Sequence, residues 1–194
     1  MDLVMAGLNL EICLVYLDDI IVYSSDVGEH LNRLRAVLDR LRDARWKLKP
    51  SKCRLFQKLV SIPGHVISGD GIATDSAKIE SVATWPVPAC LRDLRSFVGV
   101  SRNYRRFVKG FAEIAAPLHK LTGKGISLQW SAACQTAFEC LKQALITSPV
   151  LAMPIHDDVD VLDTDASDHS IGAVLSQVQA GEERVNAYGS RTCW

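Results

Sequence analysis

Two short β-forming runs on either side of a pair of adjacent aspartates constrain the fold of this chain more than any other feature. Residues 12–17 read ICLVYL, residues 20–23 read IIVY, and Asp18 and Asp19 lie between them. Runs rich in β-branched and aromatic residues that flank a short polar pair are typical of a β-hairpin. The sequence therefore predicts an antiparallel hairpin with two carboxylates side by side at its tip.

These paired aspartates have two interpretations. Adjacent carboxylates repel each other, and a divalent cation such as Mg²⁺, which prefers hard oxygen ligands, would remove that repulsion. An Asp-rich turn without a ligand is the more common explanation for such a pair taken alone. The hairpin residues by themselves leave Asp18 and Asp19 as candidate metal ligands and no more.

Charge is unevenly distributed, although the formal net charge of the 194 residues is zero. Residues 31–58 contain ten Lys/Arg and two acids, and residues 90–124 contain eight Lys/Arg and two acids. Residues 155–183 contain eight acids and no Lys or Arg. The basic stretches favour a polyanionic partner and the acidic stretch favours cations. Solvated helix faces explain both equally well before any motif is considered.

Composition excludes several classes of protein. The chain is 48% hydrophobic and 23% charged, which is typical of a globular domain. Its longest apolar run, residues 12–17, is far short of the roughly 20 residues that a membrane-spanning helix needs. The first basic residue is Arg33, so no basic start of a signal peptide is expected. Six scattered cysteines without C-x-x-C spacing indicate reduced, mostly buried thiols.

Hydrophobic periodicity predicts a mixture of helices and strands. The predicted helices cover residues 27–45, a segment from Asp75 to just before Trp85, and residues 90–98, 101–108, 111–122 and 132–146. The predicted strands form a second hairpin around residues 69–71 and a run of three over residues 159–164, 171–178 and 185–188. Prolines at 86 and 88 mark a candidate hinge or linker between the helix that starts at Asp75 and the helix over 90–98. Prolines at 149 and 154 mark the boundary before the run of three strands.

An ordered series of sequence blocks resembles one protein family. Residues 13–24, CLVYLDDIIVYS, resemble the Y-x-D-D palm hairpin of reverse transcriptases, in the form found in gypsy-like LTR retrotransposons. The blocks that continue the resemblance in order are KLKPSKC at 47–53, GHVIS at 64–68, LRSFVG at 94–99, YRRFV at 104–108, FAEIAAPL at 111–118, TDAS at 164–167 and IGAVLSQ at 171–177. The resemblance covers essentially the whole chain, and its specificity lies in the order of the blocks.

The resemblance implies an α+β fold in three parts. Residues 1–74 would be the C-terminal part of a palm, with the Y-x-D-D hairpin and a primer-grip-like hairpin. Residues 75–148 would be a mostly helical thumb and connection, and residues 149–194 the first β-strands of an RNase H-like domain. We expect such a fragment to lack a third palm aspartate, the fingers and the later RNase H acids, and to be inactive alone.

The resemblance also implies metal ligands. Asp18 and Asp19 would be catalytic and would hold Mg²⁺ for RNA-directed DNA polymerisation, and Asp165 would be the first metal carboxylate of RNase H, which hydrolyses the RNA of RNA–DNA hybrids. In the complete family enzyme two metal ions stabilise the attacking and leaving oxygens of phosphoryl transfer. Without the flanking match, Asp165 would be one more acid in an acidic segment.

Nucleic-acid contacts follow from the same resemblance. Tyr16 would lie near the primer end, and Gly64 and His65 near the primer backbone. The basic residues expected to follow the phosphates of a template–primer duplex or RNA–DNA hybrid are Arg92, Arg95, Arg102, Arg105, Arg106 and Lys109. We expect the interleaved Phe97 and Phe107 to lie in a helical core instead.

Two departures from the family pattern, Pro63 before the Gly-His pair and Asn103 before Tyr104, qualify this interpretation, because a proline removes a backbone donor from a strand. The alternatives are a non-catalytic nucleic-acid-binding or protein-interaction remnant of a retroelement, or a decayed gene without a stable product. The family implies an intracellular site, in the cytoplasm or a virus-like particle. It also implies, as partners, the missing palm, fingers and RNase H segments of the same polyprotein.

Overall fold

The chain forms two compact units, Met1–Phe56 and Gln57–Trp194. This computed structural model describes residues 3–9, 11–16, 18–62, 64–155 and 158–193. Helices and antiparallel strands are both present in the described residues, which confirms the mixed α+β class. Among these residues no helix is both long and apolar enough to cross a membrane.

The N-terminal unit contains the predicted hairpin. Strand β1, Cys13–Tyr16, pairs antiparallel with β2, Asp19–Val22, in a register that sets Cys13 opposite Val22 and Tyr16 opposite Asp19. Helix α1, Val27–Asp43, follows, and the Asp26 side chain caps it by accepting a hydrogen bond from the backbone N–H of Glu29. A small core joins the hairpin to α1, formed by the buried residues Met5, Cys13, Val37 and Leu41.

Most arginines of α1 are held by groups of their own unit. Arg33 donates to the carboxylate of Glu29 at 2.6 Å, and Arg42 pairs with Asp39 at 3.0 Å. Arg40 donates to two backbone carbonyl oxygens near the N-terminus. These contacts engage three of the ten Lys/Arg residues of the first basic stretch, so structural roles account for most of the arginines of this helix.

A three-stranded sheet opens the C-terminal unit. Strands β3, Val60–Ile62, β4, His65–Ser68, and β5, Gly71–Thr74, pair antiparallel in that order. The β4–β5 hairpin was predicted and is confirmed, whereas β3 was not predicted. Position 63, where the sequence suggested a strand-weakening proline, lies outside the described residues.

Helices occupy the middle of this unit. They are α2, Ser76–Ala83, α3, Leu91–Asn103, α4, Phe111–Leu121, and α5, Ala132–Ile146, with short 3₁₀ helices at Pro50–Lys52 in the first unit and Arg105–Phe107 here. The predicted helix start at Ser131 is confirmed, because its hydroxyl accepts from the backbone N–H of Cys134.

The prediction of two separate helices over 90–98 and 101–108 is wrong. Helix α3 runs through Gly99 and ends at Asn103, and only Arg105–Phe107 forms a further short turn. Phe97 and Ser101, on either side of the glycine, are both fully buried. Packing of these flanking residues outweighs the cost of about 1 kcal/mol for a glycine inside a helix.

Aromatic packing defines the centre of the helical core. The ring of Phe97 lies 4.5 Å from that of Phe138 on α5 and 5.9 Å from that of Trp85. Leu118 of α4 and Leu141 of α5 are also buried in this cluster. The expectation that Phe97 and Phe107 are core residues is confirmed.

A second three-stranded antiparallel sheet completes the unit. It contains β6, Asp160–Ala166, β7, Ser170–Gln179, and β8, Glu182–Thr192, in sequence order. The backbone N–H of Ala112, in the first turn of α4, donates to the Ser190 hydroxyl at 2.9 Å. This sheet is therefore fastened to the helices through β8.

The expectation of mostly buried thiols is wrong. Cys13 and Cys134 are buried, but the remaining cysteines are exposed; they are Cys53, Cys90, Cys140 and Cys193. Cys140 lies on the exposed face of α5, and Cys90 immediately precedes the first residue of α3.

Candidate metal hairpin and nucleic-acid interface

The hairpin register brings Asp18 and Asp19 together at one tip. Asp19 is the first residue of β2 and pairs with Tyr16, the last residue of β1, while Asp18 lies in the connection. Both aspartates are exposed. The Asn9 side chain supports β1 by accepting from the backbone N–H of Val15 at 3.0 Å. A stable strand pair therefore presents two adjacent carboxylates to solvent.

The donor set at this tip fits part of a magnesium site. Mg²⁺ binds through one or two protein carboxylates together with water and substrate phosphates. Asp18 and Asp19 supply two such carboxylates. Within the described ranges, no group of three or more His, Cys, Asp or Glu side chains comes close enough together to hold a metal ion. Among the residues that the structure describes, the ligands at the tip are thus this pair.

Gly64 and His65, at the start of β4, dock against helical residues of the same unit. Gly64 has a φ of +83°, and a Cβ there would lie 2.7 Å from the Tyr104 hydroxyl. The His65 ring lies 5.5 Å from the rings of both Tyr104 and Phe107. Burial raises the pKa of the Tyr104 phenol, with a smaller contribution from the negative charge of Asp75. The close approach that glycine allows here is made by Tyr104.

A basic stripe lies along the exposed face of α3. Arg92, Arg95 and Arg102 share this face because they are spaced by three and seven residues, and each is exposed. Gly99 lies between them, and no atom comes within 4 Å of the position of a Cβ there. These three arginines are called the α3 stripe below. The Arg95 guanidinium also donates to the backbone oxygen of Thr122 at 3.2 Å.

The other predicted basic residues lie around the 3₁₀ helix Arg105–Phe107 and differ in their contacts. The Arg106 guanidinium lies over the Phe107 ring at 6.0 Å, and it donates to the backbone oxygen of Asn186 at 3.4 Å. It therefore ties the helices to β8. Arg105 lines a shallow groove of about 230 Å³ together with Gly172, Gly189 and Arg191. Lys109 is exposed.

A half-buried histidine next to the α3 stripe was not singled out from the sequence. Burial lowers the pKa of His119, and the positive charge of Arg102 lowers it further. A single histidine on α4 gives no signal in the sequence, because its partner arginine is seventeen residues away on another helix. His119 therefore lies close enough to Arg102 for the positive charge of the arginine to disfavour the protonated imidazole.

Asp165 is exposed on β6, in the sheet that follows the helices. It pairs with Gly172 of β7, and Gly172 pairs with Ser190 of β8. Paired residues of an antiparallel sheet share a face, so Asp165 lies on the face where the Ser190 hydroxyl accepts from α4. Gly172, the strand partner of Asp165, lines the groove beside Arg105.

Comparison with known protein families gives two matches that together span most of the chain. Residues 1–67 match reverse transcriptase (RNA-dependent DNA polymerase), and residues 130–193 match the RNase H-like domain found in reverse transcriptase. The fold and these matches define a segment of a reverse transcriptase joined to a segment of an RNase H-like domain. The chain belongs to the Pol polyproteins of gypsy-like retrotransposons, among which are those of transposons 297 and gypsy.

Individual relatives support this assignment. The chain is 38% identical over 166 residues to the retrovirus-related Pol polyprotein from transposon 297 of Drosophila melanogaster, which covers 85% of the chain and 16% of the relative. It is 35% identical over 179 residues to that from transposon gypsy of the same species, covering 86% of the chain and 17% of the relative. The chain thus spans less than a fifth of the length of these relatives.

Solved structures agree with the family. The fold is similar to a foamy viral protease-reverse transcriptase dRH in complex with double-stranded DNA, with a TM-score of 0.83 and 25% identity over 98% of this chain and 33% of that one. It is equally similar to the foamy viral protease-reverse transcriptase in complex with an RNA/DNA hybrid, with a TM-score of 0.82 and 25% identity over 100% of this chain and 26% of that one.

Proposed function

We propose that this chain supplies the metal-binding hairpin and the duplex-binding helices of an RNA-directed DNA polymerase, together with the first carboxylate of its RNase H. The hairpin register carries the proposal, because it presents Asp18 and Asp19 side by side and exposed, opposite Tyr16. When bound, Mg²⁺ would neutralise charge on the phosphates of nucleotidyl transfer. The two carboxylates would hold it, and Asp165 would do the same in the RNase H site.

The proposed nucleic-acid surface is the α3 stripe with Arg105 and Lys109. Exposed guanidinium and ammonium groups bind phosphates without reading base sequence, as a polymerase requires. The similar foamy viral structures are complexes with DNA and with an RNA/DNA hybrid, which supports this assignment. We assign Arg106 a smaller direct role, because it already contacts Phe107 and Asn186. Gly64 and His65 would present the β4–β5 hairpin to the primer.

We further propose three functional segments: palm over residues 1–74, thumb and connection over 75–148, and the start of RNase H over 149–194. The remaining palm, fingers and RNase H segments of the polyprotein would be its partners in the cytoplasm or a virus-like particle. Because two carboxylates form only part of a two-metal site, we expect no nucleotide incorporation by this chain with a template–primer and Mg²⁺. Real incorporation would contradict this assignment of the ligands.

Manganese titration followed by NMR tests the metal site directly. Mn²⁺ that binds at the hairpin tip should broaden the amide signals of residues 18–22 at concentrations that leave other signals sharp. The double variant Asp18→Asn with Asp19→Asn should lose this selective broadening. The matched control is Asp70→Asn, which removes an exposed acid from a different hairpin turn. Equal broadening in the double variant and the native chain would exclude the site.

A second candidate function is nucleic-acid binding without catalysis, favoured by the exposed α3 stripe. Both functions predict that a fluorescent duplex binds with a steep salt dependence. Only the second predicts that Asp18 and Asp19 can be replaced without loss of primer extension when the remaining polyprotein segments are present. Restoring the missing segments in trans and measuring primer extension, with and without the Asp18→Asn and Asp19→Asn pair, separates the two.

A further inference from the structure

We propose that residues 151–155 act as a positioning strap, which joins the β3–β5 sheet to the β6–β8 sheet. The strap fixes the distance between the β4–β5 hairpin and Asp165. The importance of that spacing rests on the proposed function, whereas the strap itself rests on contacts within the C-terminal unit. These contacts involve backbone hydrogen bonds, buried amide side chains and one glycine.

Backbone hydrogen bonds link the strap to both sheets. Leu151 and Ile72 of β5 exchange two of them: the Ile72 N–H donates at 2.7 Å and the Leu151 N–H donates at 2.8 Å. The next residue, Ala152, donates to the backbone oxygen of Val185 on β8 at 2.7 Å. Two consecutive residues therefore bond to opposite sides, and the strap lies between β5 and β8 as a bridging strand.

Buried amide side chains hold the rest of the strap on the second sheet. Gln179 donates to the backbone oxygen of Met153 at 2.8 Å, and Asn186 donates to that of Ala152 at 3.1 Å. The Gln177 side chain both accepts from and donates to the backbone of Ile155, each at 2.9 Å. All three amide residues are buried, and each donates a side-chain N–H to the backbone of the strap. These side chains therefore form a polar clamp on the strap.

Gly71 allows the first sheet to approach the strap. Its φ is +135°, and a Cβ at this position would overlap the carbonyl oxygen of Leu151. Leu151 itself is fully buried in the helical core. Only a residue without a side chain permits this backbone approach. The glycine is therefore a requirement of the strap as well as of the β4–β5 turn.

The strap also closes the base of the helical region. The chain leaves β5 at Thr74 and returns at Ser148, and the hydroxyl groups of these two residues hydrogen-bond at 2.9 Å. The helices between them begin and end beside the same sheet edge. We therefore expect a movement of β4, which begins at His65 directly after Gly64, to be transmitted to the sheet that carries Asp165. Gly71 and Gln179 are positioning residues in this scheme.

Pulsed electron–electron resonance on the whole chain measures the coupling. Spin labels are placed at positions 70 and 168, two exposed turns at the ends of the two sheets, after the exposed cysteines are changed to serine. The native background should give one narrow distance distribution. Gly71→Ala should broaden it at least twofold, whereas Gly69→Ala should not, because a Cβ at Gly69 meets no atom within 4 Å.

A second variant keeps the test valid if Gly71→Ala merely disturbs its own turn. Gln179→Ala removes a clamp from the far side of the strap, so it should speed hydrogen exchange at the Ile72 amide at least tenfold. Gln143→Ala, an exposed glutamine on α5, is the matched control and should leave that exchange unchanged. Native exchange at Ile72 in Gln179→Ala would overturn the strap, as would a narrow distance distribution in Gly71→Ala.

Addition of a fluorescent RNA–DNA hybrid separates this inference from the proposed function. If the distances respond as expected but the hybrid does not bind, the strap stands and the proposed function fails. Footprinting of the bound hybrid gives the distance along the nucleic acid between its two protein-protected backbone regions. If the hybrid binds and this distance is the same in Gly71→Ala as in the native chain, the strap fails and the proposed function stands. Loss of a fixed separation in Gly71→Ala alone supports both.

Discussion

The Tyr104 hydroxyl lies 2.7 Å from the point that a Cβ on Gly64 would occupy. This contact joins the turn before β4 to the end of α3, and it holds the His65 ring between Tyr104 and Phe107. The Gly-His pair thus has a packing role inside the C-terminal unit in addition to any contact with a primer. Glycine is required at position 64 because φ is positive and because a side chain would collide with the Tyr104 hydroxyl.

Replacing Gly64 with alanine should destabilise the C-terminal unit by about 1–3 kcal/mol, because it combines a strained φ with a steric overlap. A loss of that size corresponds to roughly 2–4 °C in melting temperature per kcal/mol. Thermal unfolding measures it. Tyr104→Phe in the same chain should recover part of the loss by removing the overlapping oxygen. An unchanged melting temperature in Gly64→Ala would contradict the contact.

Gly99→Ala should have the opposite effect. Gly99 lies inside α3 at an exposed position with open space around it, so a methyl group meets no neighbour. Alanine costs less conformational entropy than glycine in a helix, and we expect a gain of about 0.5–1 kcal/mol. The same thermal unfolding series detects it. A lower melting temperature would show that the helix bends or packs at this glycine.

The α3 stripe should control duplex affinity. Changing Arg92, Arg95 and Arg102 together to glutamine should weaken binding of a DNA duplex by roughly tenfold or more at moderate salt. It should also lower the salt slope by about 0.9 for each phosphate that the variant no longer neutralises. Fluorescence anisotropy over a salt series measures both. Arg106→Gln is the contrasting variant, because it should lower the melting temperature more than the affinity. Equal loss of duplex affinity in both variants would contradict the separate roles that we assign to the α3 stripe and to Arg106.

Acidification should destabilise the C-terminal unit through His119. Its pKa in the folded chain is below the ordinary value of 6.5, because of burial and the charge of Arg102. The unfolded chain therefore binds more protons between these two pKa values. Stability is complete above pH 6.5 and falls as the pH drops toward the folded pKa. Urea unfolding at several pH values tests this, and His119→Gln should flatten the dependence in that window.

Alkylation should divide the cysteines into two groups. The four exposed thiols should react with iodoacetamide in the native chain, whereas Cys13 and Cys134 should remain unmodified. Burial raises the pKa of the Cys13 thiol, which lowers its thiolate fraction as well as its access. Mass spectrometry counts the adducts. Unfolding in urea should expose Cys13 and Cys134 and so give two further adducts. Rapid modification of Cys13 in native buffer would contradict the buried hairpin core.

The elements with strong local signals could be predicted from the sequence. The first hairpin has a β-rich run on each side of its aspartates, and α5 begins at a serine cap followed by helical spacing. Strand β3 has only three residues and is held by pairing with β4, so no local pattern marks it. Helix α3 continues through Gly99 because of buried neighbours that only the folded core provides.

The candidate site divides in the same way. Asp18 and Asp19 are adjacent in sequence, so their proximity needed only a turn. The different contacts of Arg95, Arg102 and Arg106 depend on residues 17 to 80 positions away, which sequence spacing does not reveal. The strap likewise depends on distant partners. Its one local hint is the alternation of Gln177 and Gln179, which places two amides on one side of β7.

The bridging position of residues 151–155 also affects how a polyprotein can be divided. A protease binds its substrate as a free extended strand, and backbone that is already hydrogen-bonded on both sides cannot enter its cleft. Leu151 and Ala152 are bonded in this way to Ile72 and Val185. Cleavage here would require the neighbouring sheets to separate first. We therefore expect the chain to resist cleavage at residues 151 and 152 while both sheets are folded, which limited proteolysis can test.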